Sequence, residues 1–158
     1  MNSSFLDSGV ARDAIESVLP MIESLILRKV VHRSHLHIVV LDPVSGRVLY
    51  EHSLGDPTTW EYRYDQLARA KASLAFKHRM NSREVVLRYP HLLSIGEVLH
   101  AGGIWLDGIV VAASGFKSEW DEAVCYAIAG ILLAWAQQRY RILKDHDGDY
   151  ASNFPLES

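Results

Sequence analysis

The sequence is short of cysteine, of positive charge and of long hydrophobic runs. Its 158 residues include one cysteine, Cys125, which excludes an internal disulfide and a cysteine-rich zinc site. Sixteen Lys and Arg against nineteen Asp and Glu give a net charge of −3, which argues against nucleic acid as the main partner. The uncharged apolar run of residues 123–136 is too short to span a bilayer, and residues 1–7 do not resemble a signal peptide. We therefore expect a cytoplasmic protein without a membrane partner.

The sequence does contain enough apolar material for one folded domain. Hydrophobic residues make up 49% and charged residues 22%, which excludes intrinsic disorder as the main state. The end of the chain is instead rich in Asp, Ser, Asn and Gly. We predict a single domain over residues 1–143 and a polar, flexible tail over residues 144–158.

Hydrophobic periodicity predicts three long helices. Apolar residues recur at the helical period across residues 9–29, where Pro20 predicts a kink or a break. A second helix is predicted over residues 59–80. A third begins at Ser118, which opens a capping-box pattern. This last helix carries no charge over residues 123–137, so the sheet and a second helix or subunit must cover it.

Two turn signals predict antiparallel hairpins. Residues 35–42 and 47–52 flank an Asp-Pro-Val-Ser-Gly turn, and further apolar runs flank Asp107-Gly108. Residues 82–87 suit either a short helix or a strand, and we favour the helix. Helices and hairpins in this order indicate an α+β fold. We predict three layers, with helices on both faces of about five strands.

Three segments carry a resemblance to a known family. They are residues 68–75 (Ala-Arg-Ala-Lys-Ala-Ser-Leu-Ala), residues 102–105 (Gly-Gly-Ile-Trp) and residues 108–115 (Gly-Ile-Val-Val-Ala-Ala-Ser-Gly). In order and spacing they resemble the lysine-bearing helix, the double-glycine segment and the small-residue strand of the GlcG/HbpS family. That family includes the C-terminal domains of PduO-type proteins. The acidic pair Asp121-Glu122 matches the start of its last helix.

This resemblance implies a fold, a ligand and a pocket. The fold is a profilin-like α/β/α sandwich with a five-stranded antiparallel sheet, often assembled into oligomers. The ligand is haem or a related tetrapyrrole, bound between the lysine-bearing helix and the hairpin over residues 102–115. The candidate ligand-binding residues are Lys71, Ser82, Gly102, Gly103, Ser114, Gly115 and Lys117. His78 and His100 are the candidate axial ligands, because histidine commonly holds haem iron.

The residues themselves leave alternatives open. Lys71 lies on an apolar helix face, where it either pairs with a carboxylate or extends its ammonium group to water. The segment from Ser114 to Ser118 leads into a helix N-terminus, which suits an anion site assisted by Lys117 or a plain capped turn. We interpret Asp121 and Glu122 as helix caps rather than catalytic acids.

Two histidines, His35 and His37, alternate along one predicted strand face. Together they could bind zinc or copper, but a third ligand is not visible nearby, so we interpret them as residues of a surface strand. Cys125 lies in the most apolar helix and should behave as a buried hydrophobe.

Three functions fit the sequence. The leading hypothesis is an oligomeric protein that binds haem or a related tetrapyrrole. Departures from the family pattern, such as Leu74 in place of threonine, motivate an alternative in which an enzyme uses Lys71 and a histidine on a small organic substrate. The third hypothesis is a non-catalytic scaffold that assembles through its last helix. Phosphate-loop and dinucleotide-binding motifs are absent from the sequence.

Overall fold

A four-stranded antiparallel sheet forms the middle layer of the computed structural model, which describes residues 5–146. In the order β2-β1-β4-β3, its strands are Val48–Leu54, Leu36–Leu41, Ile109–Ser114 and Gly103–Leu106. Helices α1 (Ser8–Leu27) and α4 (Ser118–His146) pack on one face. Helix α2 (Tyr64–His78) packs on the other face and is followed by the short helix α3 (Ser82–Arg88). The α+β class and the layered arrangement are therefore confirmed.

Strand β1 shows why both faces of the sheet must be covered. All six of its residues are buried, whereas a strand with one solvated face would alternate between buried and exposed positions. Ile38 and Val40 point into the core shared with α1 and α4. Val39 and Leu41 point into a smaller core beneath α2. The helix that carries Lys71 is thus held directly against the centre of the sheet.

Both hairpin predictions are confirmed. In the first turn the N–H of Gly46 donates to the carbonyl of Asp42 at 2.8 Å, and Gly46 has a φ of 75°. The second turn uses Asp107 and Gly108 with φ values of 49° and 93°. Positive φ at both central residues is what a two-residue hairpin requires.

Two predictions of local structure are wrong, and so is one of the two outcomes predicted for Pro20. The sheet over residues 5–146 has four strands rather than five, because the chain between α3 and β3 forms a 3-10 turn at Pro90–Leu92 and irregular backbone. Helix α2 begins at Tyr64, because Pro57–Thr59 forms a 3-10 turn capped by Asp56. Helix α1 continues through Pro20, which is exposed, so the break that was one of the two predicted outcomes does not occur.

The last helix is longer than its uncharged segment. It extends to His146, so the first three residues of the predicted polar tail belong to α4, and the rest of that tail lies outside the described residues. Val124, Ile128 and Leu132 are fully buried against the sheet and α1, while Gly130 and Ala134 are exposed. Across residues 5–146, the structure has no helix whose length and hydropathy would allow it to span a membrane.

Candidate functional site

Lys71 and Asp121 form a buried pair between the sheet and the start of α4. The Lys71 ammonium donates to the carbonyl of Ala113 at 3.1 Å and to Oδ2 of Asp121 at 3.4 Å. The side chains are 4% and 2% exposed. The other carboxylate oxygen of Asp121 accepts the N–H of Phe116 at 2.9 Å. Lys71 therefore has the carboxylate partner that one of the two sequence interpretations required, and Asp121 is more than a helix cap.

The environment of Asp121 shifts its acidity. Burial raises the pKa of the Asp121 carboxyl from 3.8 to about 7, although Lys71 and the Phe116 N–H both act in the opposite direction. A group with such a pKa can give or take a proton near neutral pH.

Two glycines allow the hairpin to approach Lys71 this closely. Gly102 has a φ of 127°, and a Cβ there would lie 2.8 Å from the Lys71 Nζ and 2.7 Å from the Ala113 carbonyl oxygen. A Cβ on Gly103 would collide with the backbone carbonyl of Lys71. Both glycines therefore act by leaving room for the lysine and its backbone.

Ser82 contacts the second of these glycines. Its Oγ is buried and accepts the N–H of Gly103 at 3.0 Å, while the neighbouring Asn81 accepts the N–H of Trp105 at 2.8 Å. Since α3 and β3 are held together by these two bonds, Ser82 contacts the double-glycine segment itself. It does not line the cavity that Lys71 faces.

An open cavity of about 360 Å³ lies over the Lys71–Asp121 pair, and we call it the inner cavity. Its lining includes Arg33, Tyr64, Lys71, His100, Ser114 and Asp121. A second space of about 630 Å³, the outer groove, shares Tyr62, Leu67 and His100 with it. The two spaces therefore adjoin each other, and His100 borders both of them.

The structure brings some of the predicted site residues together and separates others. Lys71, His100, Ser114 and Gly115 line the inner cavity. Lys117 is exposed and instead lines a neighbouring cleft of about 200 Å³. The three remaining candidates, Gly102, Gly103 and His78, line neither the inner cavity nor the outer groove. His78 lies at the end of α2, and its Nε2 is buried without a hydrogen-bond partner among residues 5–146.

Arg33, Tyr62 and Tyr64 are cavity residues that the sequence did not reveal. Arg33 precedes β1 and donates weakly to the carbonyl of Gly115 at 3.4 Å, which holds it at the cavity edge. The two tyrosines contact each other edge to face, with ring centroids 6.3 Å apart. These three residues lie between positions 33 and 64 without a regular spacing. The sequence therefore did not predict that the fold brings them together.

The interpretation of His37 as a surface-strand residue is wrong. It is 5% exposed, because β1 is a central strand. Its ring nitrogens lie 2.7 Å from the Ser53 hydroxyl and 2.9 Å from Glu51. Glu51 also accepts from Arg69 at 2.6 Å, and although burial opposes it, these bonds lower the pKa of Glu51. His37 is therefore satisfied by a polar cluster between the sheet and α2.

The expectation for Cys125 is confirmed. The side chain is fully buried, and burial raises the pKa of the thiol well above its ordinary value. Its Sγ lies 3.5 Å from the carbonyl oxygen of Gly102. Within residues 5–146, no cluster of three or more His, Cys, Asp or Glu side chains is arranged to hold a metal ion.

Comparison with known proteins places this fold among solved structures. No protein-family model matches the chain, and no curated protein has significant sequence similarity to it. The Klebsiella pneumoniae protein ORFY, of family model DUF336, aligns with a TM-score of 0.58 and 16% identity over 82% of this chain and 91% of that one. A PduOC:heme complex aligns with a TM-score of 0.49 and 19% identity over 83% and 95% of the two chains. The likeness to ORFY shows a shared fold.

Proposed function

We propose that this protein binds haem or a related tetrapyrrole across the adjoining inner cavity and outer groove. The observation that carries the proposal is the position of His100, which borders both spaces. An imidazole there can approach the centre of a flat ligand that extends into both. The resemblance of residues 68–75, 102–105 and 108–115 to the GlcG/HbpS family supports the same ligand.

The residues around His100 suit the chemistry of a tetrapyrrole. The outer groove offers an apolar surface from Leu67, Val98 and Leu99, against which a macrocycle can lie. Arg33 on the inner cavity supplies a guanidinium group for a carboxylate side arm, and Arg63 on the outer groove, which already pairs with Asp65, adds positive charge nearby. In this arrangement His100 would hold the iron, the arginines would orient the ring, and the bound haem would supply a redox-active metal.

Titration with hemin tests this proposal. We expect a shift of the Soret band that saturates at a defined ratio of hemin to protein, and His100→Ala should weaken hemin binding by about tenfold or more. His91→Ala is the matched control, because His91 is an exposed histidine of the same connecting segment that lines neither space. Absence of a Soret shift, or equal losses in the two variants, would contradict the proposal.

A second candidate function is an enzyme that acts on a small organic substrate in the inner cavity. The specific observation that favours it is the Lys71–Asp121 pair, whose carboxyl has a pKa of about 7, at the base of a cavity that also contains His100. Lys71 and His100 could then act as acid and base. NMR detection of turnover in a panel of small carboxylates and carbonyl compounds would test this, and unchanged turnover in Lys71→Ala would reject the role of Lys71.

A further inference from the structure

We propose that Lys71 forms an imine with a small 2-oxo acid or aldehyde that enters the inner cavity. This inference deepens the second candidate function and rests on it, and it does not require haem. It follows from three features of the cavity: a buried primary amine, a carboxyl group beside it, and a guanidinium group at the cavity edge.

The amine is held where a carbonyl carbon can reach it. The Lys71 side chain is 4% exposed, yet it lines the inner cavity together with Asp121. Its two hydrogen bonds, to Ala113 and to Asp121, are at 3.1 and 3.4 Å, which fixes the nitrogen without closing the cavity over it. Because Gly102 has no side chain, no Cβ crowds the Lys71 nitrogen from the double-glycine segment.

Asp121 can remove the proton that blocks nucleophilic attack. An ammonium group is not a nucleophile, but a buried ion pair can become neutral by passing one proton from Nζ to the carboxylate. Burial acts in this direction at Asp121, because it raises the pKa of that carboxyl group. Oδ2 of Asp121 is the acceptor, since it already receives the Lys71 hydrogen bond.

The same proton can then complete the addition. The Nζ lone pair forms a bond to the carbonyl carbon, and the carboxyl proton of Asp121 moves to the carbonyl oxygen, which gives a carbinolamine. The nitrogen of this carbinolamine still carries two protons, and it passes one of them to the Asp121 carboxylate. Asp121 then gives that proton to the hydroxyl group, which departs as water and leaves a protonated imine. One carbonyl compound and one ammonium group are consumed, one protonated imine and one water are formed, and no oxidant or reductant is needed.

The cavity also indicates the class of carbonyl compound. Its volume of about 360 Å³ suits a small molecule, and Arg33 offers a planar cation that can bind a carboxylate through two hydrogen bonds. Ser114 and Ser118 add hydroxyl groups on the same lining. A carboxylate next to the carbonyl group, as in a 2-oxo acid, would therefore be preferred over a neutral aldehyde.

Trapping with borohydride tests the inference. The protein is incubated with glyoxylate, pyruvate or acetaldehyde, sodium borohydride is added, and the reduced adduct is located by intact mass and peptide mapping. We expect one dominant adduct on Lys71, and Arg33→Gln should reduce trapping of the 2-oxo acids while leaving acetaldehyde trapping unchanged. Adducts spread over exposed lysines such as Lys144, with none on Lys71, would overturn it.

Variants separate this chemistry from a structural role. Asp121→Asn, which cannot take the proton, should lower the trapping rate by about tenfold or more. Lys144→Arg changes an exposed lysine of α4 and should retain the Lys71 adduct. Peptide mapping of the wild-type protein locates the adduct directly, so the test does not depend on whether a variant folds. Failure to trap an adduct in a protein that still shifts the Soret band of hemin overturns the imine alone and leaves the haem proposal standing.

Discussion

The hydroxyl oxygen of Ser82 accepts the backbone N–H of Gly103 at 3.0 Å, and both residues are buried. This bond ties α3 to the strand that borders Lys71. Replacing Ser82 with alanine would leave the Gly103 N–H buried without a partner. We expect Ser82→Ala to lower the free energy of unfolding by about 1–3 kcal/mol, measured by urea denaturation.

Ser17→Ala provides the comparison, because Ser17 is exposed and its hydroxyl group donates to a carbonyl within the same helix. This change should alter the free energy of unfolding by no more than about 0.5 kcal/mol. If Ser82 instead contacts the ligand directly, Ser82→Ala would reduce hemin affinity and spare stability.

The carboxyl group of Asp121 should make stability depend on pH. Its pKa is about 7 in the folded protein against an ordinary 3.8, so the folded state holds a proton that the unfolded chain releases between these values. The contribution of Asp121 to stability is therefore complete at low pH and is lost as the pH rises towards 7. The loss should reach at most about 1.4 kcal/mol per pH unit.

Comparison with Asp121→Asn isolates this effect, because asparagine does not titrate. Urea denaturation of both proteins, repeated from acidic to neutral pH, should show the wild type losing stability relative to the variant as the pH rises. Parallel curves for the two proteins would mean that Asp121 is already ionised at low pH in the folded state.

Gly130 offers a stabilising substitution. It lies inside α4, is exposed, and a Cβ added there would have no atom within 4 Å. Alanine restricts the unfolded chain and suits a helix better than glycine. We expect Gly130→Ala to raise the free energy of unfolding by about 0.5–1 kcal/mol. Gly103→Ala is the matched change at a crowded glycine and should destabilise the protein, since its Cβ meets the Lys71 carbonyl.

The same position tests assembly through the last helix, which we propose from the exposed small residues Gly130 and Ala134. If two copies pack along this face, Gly130→Arg should convert the oligomer to monomer, because a long cation would enter the contact. Native mass spectrometry of the wild type and of the variant measures this directly. A wild-type protein that is monomeric at all concentrations would remove the proposal.

The sequence predicted best the elements whose structure is determined by neighbouring residues. Helix α1 follows from its apolar periodicity, and the hairpin at Asp107-Gly108 follows from turn chemistry, because neighbouring residues determine both. The start of α2 was misplaced, since the Asp56 cap produces a 3-10 turn in a segment whose apolar spacing also suits a helix. Local spacing alone could not distinguish the two.

Strand order and the site depended on distant parts of the chain. His37 looked like a surface residue because nothing in its neighbourhood shows that β1 lies between β2 and β4. Lys71 and Asp121 are 50 positions apart, so their pairing required the fold. One signal was present: a cation on an apolar helix face needs a buried anion, and the last helix carries an acid just before its uncharged segment.

The burial of Cys125 gives the protein an internal reporter. Its thiol is the only one in the sequence, is fully buried beneath the Gly102 carbonyl, and has a raised pKa. Alkylating reagents should therefore leave the native molecule unlabelled and modify it only when α4 separates from the sheet. The speed of labelling, followed without any added fluorophore, would report how often that layer opens.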